Sequence, residues 1–158
     1  MKPTIIKFAK VSDVAVIPSF AHDGDSGFDL YIIETVTLLA NERKALRTGL
    51  KCELPYNYEI QIRPRSGVST NTKLVIIFAT IDSCYRGEIH IIVHNTDTTP
   101  IVIEKGHSIA QGVINRLPMI KIKEIENHKL SCTCRGSNGF GSTAKIMSFD
   151  PTTIKLTA

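Results

Sequence analysis

Tyr58-Glu59-Ile60-Gln61-Ile62-Arg63 alternates, with Ile60 and Ile62 on one face and polar or charged neighbours on the other. A period of two belongs to a strand with one face on a core and the other in solvent. Met119-Ile120-Lys121-Ile122-Lys123 repeats the alternation, and a further strand is expected there. Val75 to Phe78, Ile89 to Val93 and Ile101 to Ile103 carry almost no polar residue and read as more fully buried strands. Turn-forming clusters separate these runs: Asp23-Gly24-Asp25-Ser26-Gly27, Leu54-Pro55-Tyr56-Asn57, Asn95 to Pro100, and Lys105-Gly106. Strands therefore recur about every ten residues, the rhythm of an all-β sandwich, jelly roll or barrel. Two short helical stretches are expected, one after Ser66 and one over Val113 to Arg116.

Composition agrees with that fold class. The chain has 158 residues, enough for one domain of ordinary size, and 42% of them are hydrophobic against 22% charged. Such a balance builds a core and excludes a largely disordered chain. There is no tryptophan and only 6% aromatic residues, so the core is aliphatic. With 22 Ile, 9 Val and 15 Thr against 10 Leu and 9 Ala, β-branched residues outnumber good helix formers. The longest apolar run, Leu74 to Ala79, is six residues, too short for a transmembrane helix, and no membrane partner is expected. The first residues, Met1 to Lys7, lack the sustained apolar stretch of a signal peptide.

The net charge of +4 comes from 19 basic and 15 acidic residues. The basic residues form no run of four, which suits a small anion better than an extended nucleic-acid groove; no nucleic-acid partner is expected. Cys52, Cys84, Cys132 and Cys134 form no C-x-x-C pair, so zinc is not expected. They read as reduced thiols of a cytoplasmic protein, or of the host cell interior for a viral chain.

Five stretches gather polar residues and glycines where a β fold places loops and strand ends. They are Ala21 to Leu30 (AHDGDSGFDL), Arg63 to Ser69 (RPRSGVS), Ala79 to Ile89 (ATIDSCYRGEI), Lys105 to Gln111 (KGHSIAQ) and Arg135 to Ala144 (RGSNGFGSTA). Arg65, Ser66, Arg135, Ser142 and Thr143 are suitable phosphate donors, joined by N–H groups that the glycines leave accessible. Asp29 and Asp82 either hold a hard cation, activate water, or simply cap turns. On an apolar strand an aspartate is costly unless paired or used. The last stretch reads on composition as a flexible arm, yet its lone Phe140 wants an apolar partner, which a ligand face would supply.

In order and spacing, these five stretches resemble the motifs of the trimeric dUTPase family, the deoxyuridine triphosphate nucleotidohydrolases. The resemblance runs from residue 21 to 144 and is carried by P-R-S-G, I-D-x-x-Y-R-G and R-G-S-x-G-F-G-S-T. It implies a jelly-roll-like β-sandwich or distorted barrel with a flexible glycine-rich C-terminal arm. It also implies hydrolysis of dUTP to dUMP and pyrophosphate by attack of water on the α-phosphorus, with magnesium. Such a reaction keeps uracil out of DNA and supplies dUMP for thymidylate synthesis.

By the same resemblance, Asp82 is the base that orients and deprotonates the water. Tyr85 packs under the deoxyribose and leaves no room for a 2′-hydroxyl, and the hairpin after it pairs with the uracil edge. Ser66, with Arg65 and Gly67 shaping its loop, and Gln111 meet the phosphates. Asp29 holds magnesium through water. Phe140 stacks on uracil, Arg135 meets the γ-phosphate, and Gly141, Ser142 and Thr143 complete the cradle. A homotrimer with sites shared between subunits follows as well. The implied organisation is a core over residues 1–134, a substrate-closing arm over 135–144 and an extension over 145–158.

Three places depart from the family pattern. Ala79 stands where a glycine is usual, His107-Ser108 replaces the commoner Asp-Arg, and Ala144 ends the arm where a second glycine is usual. The alternatives are a dCTP deaminase on the same fold, and a regulatory nucleotide-binding protein that uses the tail from Lys145.

Overall fold

The computed structural model describes residues 3–138. The chain divides into two compact units, Met1–Met119 and Ile120–Ala158. The first unit carries strands β1 (Lys7–Lys10), β2 (Gly27–Tyr31), β3 (Val36–Leu38), β4 (Arg43–Arg47), β5 (Leu50–Glu53), β6 (Tyr58–Pro64), β7 (Leu74–Ile76), β8 (Ala79–Ile81), β9 (His90–Asn95), β10 (Ile101–Ile103) and β11 (Ser108–Arg116). Its one helix, α1 (Ser66–Asn71), has six residues and buries none of them. The ladders form a four-stranded sheet β2-β11-β6-β8, a three-stranded sheet β4-β9-β7, and two pairs, β1-β5 and β10-β3. All strand pairs are antiparallel. All four sheets pour side chains into one core, which makes the unit an all-β sandwich of the jelly-roll type.

The alternation at Tyr58–Pro64 places both Ile60 and Ile62 at 0% exposure, opposite Ile81 and Ala79 of β8. Leu46, Leu50, Ile89, Ile91 and Val93 reach the same core from other ladders. Two polar side chains are fully buried there, and both are satisfied. The Thr48 hydroxyl donates to the Ile89 carbonyl at 2.6 Å. The Asn95 amide is shared among the carbonyls of Leu38, Leu39 and Thr99, while its Oδ1 accepts the Asp97 N–H.

Three expectations are corrected. Val113 to Arg116 is not helical but the end of β11, which pairs with β2 on one side and β6 on the other. The ladder with β6, which runs the length of those four residues, outweighs any local helical tendency. Met119 to Lys123 forms no strand, since the last ladder ends where Arg116 meets Tyr58. A period-two pattern is a strand only when a neighbour supplies the ladder, and here Met119, Ile120 and Ile122 stand exposed. The three apolar runs also leave one face open rather than bury both: Val75, Ile92 and Val102 are exposed next to a buried neighbour, and Phe78 is exposed as well. The expected helix after Ser66 is present as α1.

In the second unit, the described residues form one 3-10 turn over Asn127–Lys129 and a tight turn through Arg135. Among the described residues, no helix is long and apolar enough to cross a membrane.

Candidate active site

Two clefts of the first unit collect the residues singled out above. The larger, about 430 Å³, is walled by β8, the segment after it and the outer faces of β4 and β9. Asp82 and Tyr85 line it together with Ala79, Thr80, Glu88, His90 and Ile92. Ile81 is buried and ends β8, so the chain emerges at Asp82 directly from the core. Asp82 is exposed and lies one residue past the strand, which corrects the expectation of a costly carboxylate on an apolar strand. Among the described residues, nothing forms a hydrogen bond or ion pair with its carboxylate. A free carboxylate at the lip of a cleft is available to accept a proton.

A turn fixes Tyr85 behind it. The Tyr85 N–H donates to the Asp82 carbonyl at 3.1 Å. Arg86 folds back and donates to the carbonyls of Ser83 and Tyr85 at 2.7 and 2.8 Å. The Tyr85 hydroxyl donates to the Glu88 carbonyl at 3.0 Å, which lays the ring across Gly87. A Cβ at position 87 would strike Cε2 at 2.8 Å and Cζ and Oη closer still, so only glycine lets the ring lie there.

The same Glu88 carbonyl takes His90 Nδ1 at 3.0 Å. A carbonyl only accepts, so His90 Nδ1 carries a proton and donates it to this bond. The Glu88 carboxylate in turn receives Arg47 Nε and Nη2 at 3.2 and 3.1 Å and the Gly49 N–H at 2.8 Å. Burial penalises this carboxylate most, but the Arg47 and Gly49 hydrogen bonds and the charges of Arg47 and His90 outweigh it. The Glu88 carboxyl is held below the usual glutamate range.

The smaller cleft, about 210 Å³, is lined by Asp25, Ser26, Gly27, Asp29, Arg65, Ser66 and Gln111. Ladder register assembles it: Gln111 of β11 lies opposite Asp29 of β2 and Arg63 of β6. Gln111 donates to the Pro64 carbonyl at 2.9 Å, which turns its Oε1 onto Gly27 so closely that a Cβ there would overlap it. Arg65 Nε pairs with Asp29 Oδ1 at 3.1 Å, and its Nη1 donates to the Ser108 carbonyl at 2.9 Å. The guanidinium is thereby fixed from two sides, with 40% of the side chain still accessible. A fixed arginine with a hydroxyl and an amide in the same cleft can donate hydrogen bonds to an anion such as phosphate.

Asp29 and Asp25 are the carboxylates of that cleft, and among the described residues no three metal-ligating side chains cluster. This donor set suits magnesium, which keeps several waters and takes one or two carboxylates plus phosphate oxygens rather than an all-protein cage.

Of the predicted site residues, the structure brings Asp29, Arg65, Ser66 and Gln111 into one cleft and Asp82 and Tyr85 into the other. Gly67 is in α1, outside both linings, with open space around it. Arg135 belongs to the second unit, where its Nε donates to the Asn138 carbonyl at 2.9 Å. Phe140, Gly141, Ser142 and Thr143 lie outside the described residues. Sequence reasoning missed Arg47, Glu88 and His90. Glu88 follows Tyr-Arg-Gly directly, but its partner Arg47 is 41 residues away, beyond any local pattern.

Comparison with known proteins fits this geometry. The sequence model of the family described as dUTPase matches residues 13–144. A deoxyuridine 5′-triphosphate nucleotidohydrolase of Crocosphaera subtropica is 44% identical over 140 residues, covering 87% of this chain and 97% of that protein. The dUTPase of Staphylococcus bacteriophage 80alpha, solved with dUPNHPP, superposes with a TM-score of 0.82 at 29% identity, over 87% of this chain and 97% of its own. A mutant dUTPase from phage phi11 of S. aureus, solved to describe the coordination of a structural Mg(II) ion, gives a TM-score of 0.76 at 25% identity, over 80% of this chain and 99% of its own. With the family matched across most of its length, and with the motif residues gathered in two clefts on a jelly-roll core, this chain belongs to the dUTPase family.

Proposed function

We propose that this chain is an enzyme that hydrolyses dUTP to dUMP and pyrophosphate, with Asp82 as the base. The observation that carries the reading is the pairing of a free, exposed Asp82 carboxylate with a Tyr85 ring fixed beside it. Asp82 accepts a proton from water as that water attacks the α-phosphorus. The bond from the α-phosphorus to the bridging oxygen breaks, and pyrophosphate leaves. General-base assistance of this kind is worth about 10²–10⁴-fold. The Tyr85 ring takes the deoxyribose, and its fixed position leaves no space for a 2′-hydroxyl. The backbone after Gly87 offers donors and acceptors to the uracil edge, and a site of that kind rejects a mismatched edge by roughly 10⁴–10⁵.

Arg65, Ser66 and Gln111 bind the phosphates, and Gly67 keeps the α1 loop small beside them. Asp29 holds magnesium through water; when bound, the ion neutralises triphosphate charge. Arg135 meets the γ-phosphate, Phe140 caps uracil, and Gly141, Ser142 and Thr143 close the cradle, aligning the triphosphate and expelling water.

The two clefts supply complementary halves, one for nucleoside and one for phosphate. Their separation within one chain supports a homotrimer in which one copy's Asp82 cleft works with a neighbour's Arg65 cleft. Incubation with dUTP and with dCTP decides the reaction. Pyrophosphate from dUTP and no ammonia from dCTP is expected; ammonia from dCTP would make the chain a deaminase, and tight dUTP binding without turnover would make it a regulatory binder.

A further inference from the structure

One carbonyl in the cleft of Asp82 carries two side chains. The Glu88 carbonyl accepts the Tyr85 hydroxyl at 3.0 Å and His90 Nδ1–H at 3.0 Å. A carbonyl oxygen has two lone pairs, and these two donors fill them. Tyr85 is 42% exposed, so packing alone does not fix its ring, and the bond to Glu88 matters to where the ring lies. His90 is half-buried and opens β9 directly opposite Arg47 of β4, so a ladder sets its backbone. The anchor of the Tyr85 hydroxyl is therefore itself anchored, by a strand residue on one side and by the Glu88 carboxylate, held on Arg47 and Gly49, on the other. Glu88 and His90 line the same cleft as Asp82 and Tyr85.

We infer that His90 is a positioning residue for Tyr85: it orients the Glu88 carbonyl on which the Tyr85 hydroxyl rests, and through that ring it sharpens the choice of a deoxyribose over a ribose. The inference rests on the reading of Tyr85 as the residue under the sugar. His90 itself touches neither the sugar nor the reacting phosphorus in this role.

The bond needs only a proton on Nδ1. The imidazolium has one there, and so does the neutral tautomer protonated at Nδ1. Arg47 opposite on β4, the Glu88 carboxylate, and Asp82 and Tyr85 in the same cleft are the charged and titratable groups around the ring. They influence the pH at which Nε2 loses its proton, but that loss leaves Nδ1–H in place. The contribution of His90 to sugar choice is therefore independent of pH.

Two variants of the full chain test this. His90→Leu removes the donor at similar bulk, and His90→Asn returns an amide N–H near the place of Nδ1–H. The ratio of kcat/KM for dUTP to that for UTP should fall about three- to tenfold in His90→Leu, the scale of one hydrogen bond. His90→Asn should regain most of it, and the wild-type ratio should hold constant between about pH 6 and pH 8. A role in stability alone would lower Tm in His90→Leu and leave the ratio at its wild-type value, and that result overturns the proposal. Nitrogen NMR of ring-labelled histidine in the wild type needs no turnover, with the His90 signals identified by their loss in His90→Asn. Nδ1 should stay protonated over the same pH range. An unprotonated Nδ1 in the neutral ring overturns the bond and the proposal together. A protonated Nδ1 in a wild type that turns over dUTP and UTP alike would instead remove Tyr85 from the sugar, and the proposal with it, while the hydrogen bond stands.

Discussion

Gly87→Ala tests how the cleft of Asp82 and Tyr85 is built. A Cβ at position 87 would sit 2.8 Å from Tyr85 Cε2 and nearer still to Cζ and Oη, whereas carbon atoms rest at about 3.5–4.0 Å. The ring must then shift by about 1 Å or more, and the bond from its hydroxyl to the Glu88 carbonyl is lost. An exposed, neutral hydrogen bond contributes about 0.5–1.5 kcal/mol. The expected fall in Tm is therefore small, about 2–4 °C. The catalytic effect is much larger, because a misplacement of about 1 Å in a positioning group costs on the order of 10²-fold. Steady-state kinetics should show kcat/KM for dUTP down by about that factor, with the preference for dUTP over UTP reduced. A variant with wild-type kcat/KM, wild-type preference and unchanged Tm would refute the placement of the ring against Gly87.

Asp82→Asn should keep nucleotide affinity and lose about 10²–10⁴-fold in kcat; full turnover would remove the base. Glu88→Gln tests the partly exposed pairing with Arg47. Because the folded Glu88 carboxyl lies below its ordinary value of about 4.3, the pairing stabilises the fold above that pH and is lost as pH falls through the folded value. The variant should melt below wild type at neutral pH, with the gap closing in acid; a gap independent of pH would contradict the ion pair. Removing residues 135–158 should abolish turnover while the thermal transition of the core persists, and unchanged kinetics would exclude a closing arm.

Strand rhythm made the fold class legible because Ile60 and Ile62 point inward while Glu59, Gln61 and Arg63 do not. Alternation misled at Met119 to Lys123, since side-chain pattern carries no information about whether a neighbouring strand exists. The helix expected over Val113 to Arg116 was overridden for the opposite reason: β6 supplies a partner for all four residues and imposes extended backbone. The site motifs were readable because Asp82, Tyr85 and Gly87 lie within a few residues of one another. Arg47 was not, because its link to Glu88 exists only after β4 and β9 have paired. Sequence also gave no hint that the motif residues divide between two clefts, a property of where each strand leaves the core.

Mixing two inactive variants addresses that division most directly. Asp82→Asn alters only the cleft that holds Tyr85, and Arg65→Gln only the cleft that holds Asp29 and Gln111. Unfolded together in equal amounts and refolded, they should regain about a quarter of wild-type dUTP turnover, as random assortment leaves that share of shared sites intact. Turnover no higher than that of the separate variants would mean that each copy must supply both clefts itself, contrary to a site built between subunits.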